Sequence, residues 1–64
     1  MNKIIIENET LKNNFKDGYI KANSLIEYLK KYFNNSKATC LKDFKIKKAS
    51  LQFVANELIF NYQV

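Results

Sequence analysis

The sequence predicts a small α+β domain: three short helices with short strands at the N- and C-terminal ends. Three observations predict it. Ile4, Ile5 and Ile6 form a β-branched run near the start, and such residues suit a pleated surface. Apolar residues then recur at helical spacing through 25–33. The last residues alternate, with Phe60, Tyr62 and Val64 on one face, which is the period of a strand. At 64 residues the chain holds one domain, 1–64, without room for a second core. A chain this short buries only about 60% of its unfolded surface, so each large apolar residue matters. With 47% hydrophobic residues it has enough of them to build a core.

The elements follow in order. Residues 3–8 read as a strand. Residues 10–17 are polar with Leu11 and Phe15 set among them, a pattern open to a helical turn or a loop. Asp17-Gly18 is a turn signal, and 19–21 then read as a brief second strand. Ser24 with Glu27 fits a capping box, in which a hydroxyl and a carboxylate satisfy the first helical amides. A helix is expected over 25–33, with Leu25, Ile26, Leu29 and Phe33 on its apolar side and Lys30 and Lys31 near its C-terminus. Beyond Asn34-Asn35-Ser36, Cys40, Leu41 and Phe44 share one face of a short helix. Leu51, Val54, Ala55 and Leu58 share one face of a longer one. The final strand over 59–64 is expected to pair with Ile4-Ile5-Ile6.

Composition removes several function classes. The chain has no His and one Cys, so neither a Ser-His nor a Cys-His pair nor a disulfide framework can be built. Cys40 reads as a small buried hydrophobe. No phosphate loop, dinucleotide fingerprint or calcium loop occurs, and the carboxylates Glu7, Glu9, Asp43 and Glu57 have little prospect of a pocket that tunes them. The expectation is a binding module with no catalytic residues, metal or cofactor. The apolar run at the start is shorter than a secretory or membrane segment requires, so a cytoplasmic protein with a reduced thiol is expected.

Charge narrows the partner. All eleven basic residues are Lys, against six acidic residues, for a net charge of +5. Such a balance suits nucleic acid, an anionic surface or an acidic protein. The absence of Arg removes the commonest bidentate reader of guanine. Five lysines, Lys37, Lys42, Lys45, Lys47 and Lys48, fall within residues 37–48.

Cys40 and Phe44 on a first helix, Ile46 after a turn, and Leu51 and Val54 on a second helix form a spaced apolar set. This set, over about residues 37–58, resembles the buried pattern of helix-turn-helix and winged-helix DNA-binding domains. An ordinary packed helix pair accounts for the same five residues. The resemblance implies a three-helix winged-helix-like domain whose second helix enters the major groove of double-stranded DNA. Its outward face would then be Lys47, Lys48, Ala49, Gln52, Phe53 and Asn56. Gln52 would read adenine, Lys48 guanine and Ala49 a thymine methyl, while Lys45 and Lys47 would meet phosphates and Lys37 and Asn56 would complete the DNA-binding set. The pattern departs from the family at Leu41, where a small residue is usual, and at Lys45, where Gly is usual. A non-Gly residue at positive φ costs roughly 1 kcal/mol.

Two function classes follow. The first is a DNA-binding regulator or accessory factor of a phage, plasmid or other mobile element, acting in transcription regulation as a homodimer. The C-terminal strand and Tyr28 with Tyr32 are the candidate dimer surfaces. The second is an inhibitor of the anti-CRISPR kind that binds and blocks a host protein through Tyr28, Tyr32, Phe53 and Tyr62, since Tyr is enriched at interfaces. Edge pairing through the N- or C-terminal strand within a larger assembly is a third use of the fold. The aromatics also offer a stacking platform for single-stranded nucleic acid.

Overall fold

In a computed structural model, which describes residues 2–18 and 21–64, a three-stranded antiparallel sheet carries two α-helices and a 3-10 helix on one face. The chain runs β1 (Asn2–Ile6), α1 (Glu9–Lys16), α2 (Ala22–Tyr32), the 3-10 helix (Leu41–Phe44), β2 (Lys48–Val54) and β3 (Glu57–Gln63). The strand order is β1-β3-β2, so the C-terminal strand lies at the centre. The expected pairing of the two ends is present, with Ile4 opposite Phe60 and Ile6 opposite Leu58. The suggested strand over 19–21 falls mainly on Tyr19 and Ile20, outside the described residues.

The helical pair expected over 37–58 is not formed, and the winged-helix-like three-helix domain is corrected with it. Residues 48–54 are a strand that continues through a tight turn into β3. The apolar side chains Leu51 and Phe53 alternate with Ser50 and Gln52, and the register carries this alternation across the sheet. Leu51 lies opposite Phe60, and Phe53 opposite Leu58. The spacing of Leu51, Val54, Ala55 and Leu58 mimics a helix because it mixes residues from both faces and from the turn. Ala55 and Asn56 have φ of 53° and 62°. Two central residues at positive φ match the type I′ geometry that suits the twist of a two-residue hairpin.

The core lies between the inner sheet face and the helices. Ile4, Ile6, Leu58 and Phe60 from the sheet meet Leu11 of α1, Leu29 of α2 and Ile46, all buried. Burying each of these large side chains contributes roughly 1.5–3 kcal/mol relative to exposure. Asn8 starts α1: its side-chain oxygen accepts from the Leu11 amide at 2.9 Å, one of the donors a helix start leaves open. Gly18, at φ 83°, donates its amide to the Phe15 carbonyl at 3.0 Å as α1 ends. α2 begins three residues before the expected start. Ser24 lies inside it, and its N-cap, Lys21, makes no side-chain cap bond, so the Ser24–Glu27 capping box is corrected. The reciprocal cap occurs instead at Cys40 and Asp43. Cys40 is accordingly exposed rather than buried. No helix among the described residues is long and apolar enough to cross a membrane.

Candidate nucleic-acid interface

Helices cover one sheet face and leave the other open. Strand alternation and register place the open-face residues in rows. Lys48 lies opposite Gln63; Ser50 is opposite Asn61, which is opposite Lys3; Gln52 is opposite Ile59, which is opposite Ile5; Val54 is opposite Glu57. The face is therefore polarised. Lys48 and Lys3 stand toward one end, followed by the hydroxyl and amide groups of Ser50, Asn61 and Gln52, with Ile5, Ile59 and Val54 toward the end that carries Glu57. Asn61 donates its side-chain N–H to the Gln52 carbonyl oxygen at 2.8 Å, which fixes both amides. A shallow cavity of about 260 Å³ is lined by Lys48, Ala49, Ser50 and Asn61.

The segment feeding the basic end adds its own charge. Lys37, Lys42, Lys45, Lys47 and Lys48 are all exposed. Asp43 is the sole carboxylate among residues 37–48, and it is engaged locally. Its Oδ2 accepts from the Thr39 amide at 2.8 Å, the Thr39 hydroxyl at 3.1 Å and the Cys40 amide at 3.3 Å. These donors, the Thr39 amide foremost, hold its carboxyl below the usual aspartate range. The ion pairs within 4.0 Å among the described residues are Lys12–Glu9 and Lys30–Glu27, so none engages the lysines of 37–48. The Lys47 amide donates to the Gln63 carbonyl at 2.8 Å and ties this segment to the end of β3. Lys45 ends the 3-10 helix at φ 62°, where its amide donates to Lys42. Lys45 adopts the positive φ that the glycine usual in the helix-turn-helix family would allow, but the turn it serves leads into a strand.

The expected recognition face is not assembled. Lys48 and Gln52 share the open face, but Ala49 faces the helical side and Asn56 sits in the hairpin turn. Six residue-to-residue steps of strand lead from Lys48 to Val54 and the turn lies beyond it, putting Asn56 about 20 Å or more from the basic end. Lys37 and Lys45 belong to the segment around the 3-10 helix. Gln52 lies on a strand and Asn56 in a turn, so the adenine-reading role expected of Gln52 and the place expected for Asn56 on the outward face of a helix have no geometric basis. The site instead gains Lys3, Ser50 and Asn61. Their signal is the alternation of β2 and β3, which becomes informative only once the strands are paired.

Of the four aromatic residues expected at a partner interface, Tyr28, Tyr32 and Tyr62 are linked through Phe33, against which Tyr32 packs edge-on at 5.1 Å, while Phe53 lies apart. Tyr28 and Tyr32 stack along α2 with centroids 6.5 Å apart, and Tyr32 is 55% exposed. Phe53 lies elsewhere, half-buried and stacked on Phe15 at 6.4 Å, with the Lys16 ammonium 5.2 Å from its ring centre. Tyr62 is packed on Phe33 and Phe60 at 5.8 and 5.6 Å. The C-terminal strand is paired on both sides. It cannot supply the dimer edge or the edge-pairing surface suggested by its position in the chain.

Together these features define a class: a basic α+β module with one helix-covered sheet face and one open face that is basic and polar toward one end and carries Ile5, Ile59 and Val54 toward the other. No protein-family model matches the chain, and no curated protein or solved structure is significantly similar to it.

Proposed function

We propose that the protein binds double-stranded DNA through phosphate contacts made by the basic end of the open sheet face and the adjoining 37–48 segment. The observation that carries this reading is the placement of Lys3 and Lys48 on the two edge strands at one end of the open face, with Ser50 and Asn61 between them and four further exposed lysines in the adjoining segment. Lysines act as point charges on phosphates, and counterion release supplies most of the affinity of such contacts. Without Arg the face has no bidentate guanine reader. Binding is therefore expected to be salt-steep and weakly sequence-dependent. The role in transcription regulation or as an accessory factor of a mobile element belongs to the same proposal.

Titration of a fluorescent mixed-sequence duplex across a salt series tests it. Lys47→Ala with Lys48→Ala should weaken binding and flatten the slope of log K against log salt by roughly two units. An unchanged slope would remove both residues from the interface.

A second reading is favoured by the other end of the open face. Ile5 is 44% and Val54 50% exposed there, with the half-buried Ile59 between the strands. This apolar strip, like Tyr32, supports a module that binds and blocks a host protein. Duplex binding that is absent even at low salt would favour it.

A further inference from the structure

The two sheet edges are finished differently. β1 is five residues long, and its inward residues Ile4 and Ile6 are fully covered. β2 is seven residues long and pairs with β3 in unbroken register from Lys48 to Val54, without a bulge. Its inward residues Leu51 and Phe53 are only half-buried, because the helical layer stops short of this edge. An edge strand carries a row of unpaired backbone donors and acceptors, which proteins usually blunt by shortness, charged side chains (lysine above all), proline, bulges or cover. β2 has one of these devices, Lys48 at its start, and none from Ala49 to Val54.

We infer that β2 pairs with β2 of a second copy, antiparallel and centred on Leu51, to make a continuous six-stranded sheet. This inference stands apart from the DNA reading. The sequence of β2 fits its own reversal. Leu51 meets Leu51, Ser50 meets Gln52, and Ala49 meets Phe53, so every directly opposed pair shares a face. The small Ala49 borders an apolar cavity of about 230 Å³ lined by Leu25, Leu41, Ala49, Ser50, Leu51 and Phe60. Phe53 of the second copy arrives at this cavity, and the two half-buried Leu51 side chains cover one another. Charge also fits. Lys48 faces Val54 of the second copy rather than another lysine, and Glu57 lies next to that Val54 in the register. A lysine side chain reaches over an apolar neighbour with its stem while its ammonium meets the carboxylate beyond.

The test is the solution mass of the full chain by sedimentation equilibrium, with amide hydrogen exchange read alongside. The mass should rise from 7.6 kDa toward twice that value as concentration increases from about 10 µM to about 1 mM. Alternate amides of β2, turned to water in a single chain, should exchange slowly only in the associated form. Val54→Lys places like charges directly opposite at two symmetry-related positions and should weaken association about tenfold or more. Val54 is exposed on the open face, so the fold should tolerate the change. Adding Lys48→Glu to Val54→Lys should restore association to within about threefold of the original. A mass of 7.6 kDa at every concentration would overturn the inference, as would association indifferent to Val54→Lys or β2 amides that exchange equally in both forms.

Discussion

Asp43 shows how one side chain can shape a basic surface without neutralising it. Its carboxylate accepts from Thr39 and Cys40 and so braces the turn that presents Lys42 and Lys45. These bonds favour the ionised form and lower its folded-state pKa. The stabilisation they give is fully present above the ordinary aspartate pKa of about 3.9 and is lost as pH falls through the lower folded value. Urea midpoints measured from about pH 6 to about pH 2 should therefore fall at the acid end, and Asp43→Asn should remove part of that fall. Lys45 carries the opposite compromise. At φ 62° it occupies a conformation that favours glycine. Lys45→Gly should raise stability by roughly 0.5–1 kcal/mol in urea melts, net of the greater freedom of glycine in the unfolded chain. The same change should flatten the salt slope of duplex binding by roughly one unit. A loss of stability would show that the lysine stem packs favourably enough to outweigh the backbone strain.

At the scale of elements, the hairpin of β2 and β3 decides the fold. Its turn residues, Ala55 and Asn56, both adopt positive φ. Ala55→Asn supplies a residue that tolerates this region, and should stabilise the chain by roughly 0.5–1 kcal/mol in the same melts. An unchanged midpoint would mean that the strand pairing, not the turn, limits stability. The turn also explains what the sequence conceals. Ile4-Ile5-Ile6 is legible from its β-branched side chains and the segment from Phe60 to Tyr62 from its alternation, and their pairing follows. The α2 periodicity is legible for the same reason, although its start is misplaced because Ser24 and Glu27 imitate a cap. Ala55-Asn56 lacks the glycine that marks most two-residue hairpins. Without that mark, Leu51, Val54, Ala55 and Leu58 line up at helical spacing, and the strand pair reads as a helix. The helix-turn-helix resemblance rests on this coincidence.

Across the whole molecule, the helices and the charge are distributed differently from a groove-reading protein. The layer of α1 and α2 is spent on the core, through Leu11, Phe15 and Leu29. The lysine-rich segment then leads into the sheet edge. Half of the candidate site is legible in the sequence, because five lysines within twelve residues are visible as a run. The other half, Lys3, Ser50 and Asn61, comes from three different strands and depends on a register that pairing alone fixes.

The most direct test of the central claim is a backbone amide NMR titration of the full chain with a mixed-sequence duplex at low salt. The largest shift changes should fall on Lys3, Lys45, Lys47, Lys48, Ser50 and Asn61, with α1 little affected. Changes concentrated on α1 or α2, or none at saturating duplex, would contradict a DNA-binding sheet face.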